Sequence, residues 1–191
     1  LRIIAGKFRG RKLLDSSHLK ALRPTTDANR ESLFNILSAA KFIREIDFEI
    51  TNCQIIDVCC GSGAVAFEAL SRGAKKATLI DNSRTNLELA KSNAALLKIE
   101  DQCHFSLADV KSISPNLVDK DLRKLIFLDP PYEENYEIIL QNLIAKEWLK
   151  KNDLLVIEMA RNKEINFSDI GLDLLDMRIC GNSLFVFAKS F

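Results

Sequence analysis

Gln54-Ile55-Ile56-Asp57-Val58-Cys59-Cys60-Gly61-Ser62-Gly63-Ala64 carries an apolar run into a paired-glycine turn and out into a segment of helical period. Gly61 and Gly63 let the backbone turn tightly and approach a ligand that a side chain would push away. With Ala66 the spacing is GxGxxA, and eighteen residues beyond Gly63 a second apolar run ends at Asp81. An acid there can accept from both ribose hydroxyls of an adenosine cofactor. These features suit a nicotinamide dinucleotide and S-adenosylmethionine about equally. Asp57 favours the second, because a carboxylate beside the glycine loop repels a pyrophosphate but suits an amino and a sulfonium charge.

Outward from this stretch, short apolar runs alternate with helical segments, which predicts an α/β domain with a mostly parallel sheet. The predicted strands are 54–58, 76–80, 103–106, 124–128 and 153–158, followed by two more near 173–180 and 184–189. Only Gly181-Asn182-Ser183 separates the last two, too little chain for a crossover helix, so they must pair antiparallel. Leu87, Ala90, Ala94 and Leu97 recur at helical spacing behind Ser83, and Tyr136, Ile139, Leu140 and Leu143 form a second stripe; both predict helices packed on the core. Ahead of the sheet, Thr25 or Thr26 caps a helix with the stripe Leu33, Ile36, Leu37 and Ala40. Residues 107–123 read as a polar connection with room for a short helix.

Leu128-Asp129-Pro130-Pro131-Tyr132 ends the fourth strand. Two consecutive prolines supply no N–H, so the turn offers acceptors: the Asp129 carboxylate and the Pro130 carbonyl. An amino group with two hydrogens fills both, and that geometry frees a nucleobase amine's delocalised lone pair toward a methyl donor. Tyr132 offers a flat face for an extracted base. Candidate cofactor contacts are Asp57, Cys59, Gly61, Ser62 and Gly63, then Asp81 with Asn82, and Asp109 after the third strand. Asp109 either accepts from an adenine amino group or caps a helix.

The chain has 191 residues and a net charge of +1, distributed unevenly. Residues 1–30 hold eight Lys/Arg against two acids, a net +6, which leaves −5 on the rest. A basic front end on a mildly acidic body is the pattern of a segment that meets phosphate. Residues 1–14 read as a small hairpin turning between Gly6 and Gly10. The division predicted is a basic extension at 1–24 and the main domain at 25–191. Arg9, Arg11 and Lys12, on this hairpin, are placed for phosphate contacts that position a nucleic acid without reading its bases, and with Arg2, Lys7, Arg23, Thr25 and Arg30 they make up the candidate nucleic-acid contacts.

No run approaches the roughly 20 apolar residues of a membrane span, and no apolar stretch follows the basic start as a signal peptide would require. Five cysteines without a CxxC pair suggest neither a disulfide framework nor a zinc site, and Cys59 and Cys60 read as packing residues. A cytoplasmic, monomeric protein is expected. His18 and His104 have no evident chemical partners.

DPPY after the fourth strand, with DxxxGSG after the first, is similar to class I methyltransferases that modify exocyclic amines of nucleic acid bases. The front half adds Arg2-Ile3-Ile4-Ala5-Gly6, Phe8-Arg9-Gly10-Arg11-Lys12-Leu13, Leu22-Arg23-Pro24-Thr25-Thr26-Asp27 and Arg30-Glu31-Ser32-Leu33-Phe34-Asn35-Ile36-Leu37. With these segments the whole chain resembles the bacterial 16S ribosomal RNA guanine N2-methyltransferases. The resemblance implies a seven-stranded Rossmann-like sheet with an antiparallel C-terminal hairpin and S-adenosylmethionine as donor. It also implies a guanine of small-subunit ribosomal RNA as substrate, presented within an assembled or assembling subunit. Through the RPTTD segment it places Arg23, Thr25 and Arg30 beside the cofactor carboxylate or the RNA. Cys59-Cys60 departs from the family, where many relatives place an apolar or aromatic residue and Ala. Two other readings share these motifs: a DNA adenine N6-methyltransferase, and an RNA-binding assembly factor without turnover.

Overall fold

The computed structural model describes residues 1–15, 26–115, 122–131 and 133–190. Seven strands form one sheet: β1 (Cys53–Val58), β2 (Lys76–Asp81), β3 (Cys103–Leu107), β4 (Arg123–Leu128), β5 (Leu154–Ala160), β6 (Leu172–Cys180) and β7 (Ser183–Ser190). Their order is β3-β2-β1-β4-β5-β7-β6. The first five are parallel, and β7 runs antiparallel to both neighbours, so the terminal hairpin expected from its short turn is present. β1 is buried at all six positions because strands and packing layers flank it on every side, which is why its sequence shows no alternation.

Five α-helices accompany the sheet among the described residues: α1 (Asp27–Ala39), α2 (Lys41–Glu45), α3 (Ala64–Ser71), α4 (Arg84–Leu97) and α5 (Tyr136–Ala145). Ser83 caps α4 and Asn135 caps α5, each side chain accepting an amide from the first turn. The predicted stripes on both helices are buried. On α1, Thr26 is the cap, and the buried stripe is Arg30, Leu33, Phe34 and Leu37, while Ile36 and Ala40 are only half-buried. An arginine opening that stripe hides its period from a hydropathy reading. Among its described residues, the polar connection after β3 contains one 3-10 turn, Val110–Ser112.

All eight residues of α3 are buried, a state expected only when a helix is covered on every side. The cover is the N-terminal hairpin. Arg2 and Lys12 form an antiparallel bridge, and Ile3, Phe8 and Leu13 join the same core as α3 and β1. The described part of the basic extension, residues 1–15, thus completes the core of the main domain. Glu68 of α3, fully buried, accepts from the amides of Ile4 (2.7 Å) and Ala5 (3.0 Å) and from Arg72 Nε (2.7 Å). Ser71 Oγ accepts from Phe8 N at 2.9 Å, and its carbonyl accepts from Lys7 N at 2.7 Å. At Gly6, with φ near +80°, a Cβ would sit 1.9 Å from the Ser71 carbonyl oxygen, so only glycine allows this contact.

Removing Glu68 orphans two backbone donors and the Arg72 guanidinium in one place. Glu68→Ala is expected to cost about 2–4 kcal/mol, read as a lower midpoint in urea unfolding followed by circular dichroism.

Candidate active site

The chain order departs outward from β1 through β2 to β3, then returns to place β4 on the other side of β1. Loops leaving β1 and β4 must diverge at such a switch, and ligands of open α/β sheets bind in the crevice between them. A cavity of about 780 Å³ opens there, lined by the glycine loop after β1, the end of β2, the proline turn after β4 and the end of β5.

Within the glycine loop, Gly63 has φ near +77°, and a Cβ on it would lie 2.5 Å from the Phe67 ring. Gly61, at φ +52°, faces open space at its Cβ position. Cys59 also adopts a positive φ of 64°, so the turn is strained at one non-glycine residue. Three loop amides are already used: Cys60 N donates to the Ile80 carbonyl (3.0 Å), Gly61 N to Asp81 Oδ2 (2.9 Å) and Gly63 N to the Cys60 carbonyl (2.8 Å). With these three amides satisfied within the protein, they are not offered to a pyrophosphate.

Asp57 is 2% exposed, and its Oδ2 accepts from Ala66 N at 3.0 Å. Burial pushes its carboxyl up to about 7; the Ala66 amide opposes that rise and the Asp81 charge adds to it. Asp81 accepts from Ser83 N (2.9 Å) and Asn86 Nδ2 (3.1 Å) on Oδ1 as well as from Gly61 N on Oδ2. A carboxylate has about four acceptor positions, so this arrangement leaves room for one ribose hydroxyl where the sequence suggested two. Asn82 lies exposed at the cavity wall beside it. Asp109 caps the Val110–Ser112 turn, accepting from Lys111 N at 2.9 Å, and it also lines the cavity. Ser62 lines the cavity too, and its carbonyl accepts from the buried Asn93 side chain at 3.0 Å.

The cavity walls carry seven Asp or Glu and a single cation, Lys111, among the described residues. Such a surplus favours a ligand with positive charge. The fit is to S-adenosylmethionine, with its amino and sulfonium centres, over a dinucleotide with a pyrophosphate. Cys59 is no nucleophile here: burial, then the charges of Asp81, Asp129, Asp57 and Glu134, push its thiol up to about 12.

The turn after β4 continues the sheet by one bond, Asp129 N donating to the Val58 carbonyl at 3.4 Å, and this holds it against the glycine loop. Asp129 is half-buried, Pro130 is buried, Pro131 is exposed, and all three line the cavity. Glu134 N closes the turn on the Pro131 carbonyl at 3.0 Å. Tyr132 lies outside the described residues, as do Arg23, Thr25 and His18.

Three further residues enter from elements far apart in sequence. Glu158 near the end of β5, Ser183 at the start of β7 and Asn29 in the first turn of α1 meet at the cavity wall. Ser183 Oγ and Asn29 Nδ2 both donate to Glu158 Oε1, at 2.6 and 3.3 Å. One signal for Glu158 was present in the sequence, since it ends an apolar run just as Asp81 does. Asn93 had none: it interrupts the apolar face of α4, yet it is fully buried and joins Leu14 to Ser62.

Of the basic residues, Arg2, Lys7, Arg9, Arg11 and Lys12 are exposed. Lys7 and Arg9 sit at the hairpin tip, where the backbone meets Ser71 at the end of α3 remote from the cavity. Arg30 must be withdrawn from the RNA contacts. It is 0% exposed, and its Nη2 donates to the Arg2 carbonyl (2.7 Å) and to Asp27 (2.8 Å), so it ties α1 to the hairpin and cannot reach a phosphate.

The family described as conserved hypothetical protein 95 matches residues 1–189. The chain belongs to this family. A relative from Haemophilus influenzae named ribosomal RNA small subunit methyltransferase D is 36% identical, covering 86% of this chain and 81% of that protein. Its namesake from Escherichia coli K12 is 34% identical over 83% of this chain and 74% of its own. The solved Escherichia coli protein yhhF superimposes with a TM-score of 0.78 at 29% identity, covering 100% of this chain and 97% of that one. The fold is that of class I methyltransferases: an O-methyltransferase of neocarzinostatin biosynthesis, solved with S-adenosylmethionine, shares it at a TM-score of 0.61 and only 12% identity.

A cation entering beside Asp57 favours its ionised form, so binding and deprotonation are linked. With its carboxyl at about 7, Asp57 is mostly neutral at pH 6. Calorimetry with S-adenosylmethionine at pH 6, repeated in buffers of different ionisation enthalpy, should report release of about one proton per ligand bound. Release should fade toward pH 8 and vanish in Asp57→Asn.

Proposed function

We propose that this protein transfers a methyl group from S-adenosylmethionine to the N2 amine of a guanine in 16S ribosomal RNA. The observation that carries the reading is an acceptor-only wall, Asp129 with the Pro130 carbonyl, set against an acidic cavity at the strand switch. Relatives named ribosomal RNA small subunit methyltransferase D, which this chain matches over more than four-fifths of its length, support the choice of substrate.

When bound, S-adenosylmethionine supplies an electrophilic methyl on a sulfonium sulfur. Asp57, Asp81 and the glycine loop hold it, and Asp109 borders its adenine. Asp129 and the Pro130 carbonyl take the two amine hydrogens, which steers the nitrogen lone pair out of the base plane and toward the methyl. Pro131 keeps the turn rigid and free of a competing donor. Tyr132 stacks on the base once it has left its own stack. Holding the amine in line supplies roughly 7–11 kcal/mol of the barrier reduction, against a few kcal/mol for extracting the base. The methylated nitrogen then carries a far more acidic proton, which solvent accepts.

The exposed cations of the hairpin touch phosphates at a distance from the reacting base and set the docking of the enzyme on the RNA. By the resemblance, Arg23 and Thr25 serve either the RNA or the cofactor carboxylate. The substrate is the assembled or assembling small subunit, met by a monomer in the cytoplasm. Among the described residues no helix is long and apolar enough to cross a membrane.

Incubation with labelled S-adenosylmethionine and methylation-deficient small subunits should place label in N2-methylguanine. Label in the adenine of duplex DNA would instead establish the DNA enzyme, and cofactor binding without label in either would leave an assembly factor. Asp129→Ala should lower turnover by about 100-fold or more while the cofactor Kd changes little. Combined Arg9→Ala and Lys12→Ala should weaken subunit binding and flatten its salt dependence, the logarithmic slope falling by about 0.7–0.9 for each phosphate the variant no longer neutralises.

A further inference from the structure

The acceptor wall at Asp129 does not by itself distinguish guanine from adenine, because both bases present an amine with two hydrogens. What separates them is the neighbouring ring nitrogen. Guanine N1 carries a hydrogen, and adenine N1 carries a lone pair. A site that transfers to guanine alone therefore needs one more acceptor beside the amine position.

The sheet supplies one. β4 pairs with β5 in parallel, and the last paired residues are Leu128 and Ile157. The next step in that register sets Asp129 beside Glu158, on strands separated by about 4.8 Å. Alternation puts both on the face shared with Phe127 and Val156, whose side chains lie in the core on the α3 side. Both residues line the cavity.

Glu158 is 4% exposed, and its orientation is held from two elements. Ser183 Oγ, from β7, and Asn29 Nδ2, from α1, both donate to Oε1, and Asn29 Nδ2 also lies 3.2 Å from Ser183 Oγ. Desolvating a carboxylate at the end of a strand is costly, and a polar network kept at a cavity wall in spite of that cost is one a ligand can use. Glu158 also lines the cavity, where a carboxylate meets a ligand's N–H as an acceptor and never as a donor.

We propose that Glu158 is the specificity-determining residue of the base site, accepting the N1 hydrogen of guanine while Asp129 and the Pro130 carbonyl accept the amine. The proposal rests on the guanine N2 reading above. In the same position adenine would turn its N1 lone pair toward the Glu158 carboxylate, so the wall that orients one base repels the other. Ser183 and Asn29 are positioning residues that hold the carboxylate in the plane of the base.

Once the methylated nucleotide is mapped, small subunits can be reconstituted with either guanine or 2-aminopurine at that position. 2-Aminopurine keeps the N2 amine but has a lone pair at N1. The measured quantity is the guanine to 2-aminopurine ratio of kcat/KM, compared between wild type and Glu158→Gln so that the intrinsic reactivities of the bases cancel. Glu158→Gln is nearly isosteric, and its amide oxygen can still accept from Ser183 and Asn29. Its amide N–H suits a lone pair at N1. The ratio should fall by about 10- to 100-fold in the variant, with cofactor Kd unchanged. Ser183→Ala, which keeps the carboxylate but loosens it, should lower the ratio less.

A merely structural Glu158 would slow both substrates equally and leave the ratio as in wild type, and that result overturns the proposal. Wild-type enzyme that fails to methylate guanine N2 in unmodified subunits would overturn the underlying reading as well, so the two failures are distinguishable.

Discussion

The site depends on the parallel pairing of β1 with β4 across the point where the chain reverses its direction of travel through the sheet. That pairing aligns Val58 with Leu128 and lets Asp129 N reach the Val58 carbonyl. A glycine turn and a proline turn that lie some seventy residues apart thereby become two walls of one crevice. Neither turn suffices alone: in the function proposed above, one shapes a backbone surface for the cofactor, and the other presents acceptors to an amine. Their proximity comes from strand order.

Concentrating acids at that crevice is unfavourable in the protein by itself. Asp57 shows the strain most directly, with a carboxyl raised to about 7 chiefly because it has been taken out of water. Its bond to Ala66 N and the three bonds to Asp81 offset part of the penalty, and they do so by tying the carboxylates to the first turns of α3 and α4. The acids that await a cation thus also hold the loop in shape. Polar groups at this site cannot be sorted cleanly into structural and functional ones.

The N-terminal hairpin illustrates a related economy. Its apolar side, Ile3, Phe8 and Leu13, closes the core over α3, and its backbone amides satisfy Glu68. The outer side keeps Lys7, Arg9, Arg11 and Lys12 in solvent. One segment of about fifteen residues is both core and candidate RNA surface, so its charge is held rigidly with respect to the cavity rather than on a loose tail.

Periodicity and turn chemistry in the sequence established the seven strands, the closing hairpin, the stripes of α4 and α5, and the two motif loops, because each of these is local. Gly61, Gly63 and the prolines constrain their own backbones, and an acid at the end of an apolar run is visible wherever it falls. Tertiary packing alone decided what those local features meet. It buried Arg30 against the Arg2 carbonyl, it brought Asn29, Glu158 and Ser183 together across separations of 129 and 154 residues, and it joined Asn93 on α4 to Leu14. The physical reason is the same in each case: a buried polar group is specified by its partner, and the partner of a long-range hydrogen bond leaves no trace in the spacing of its neighbours.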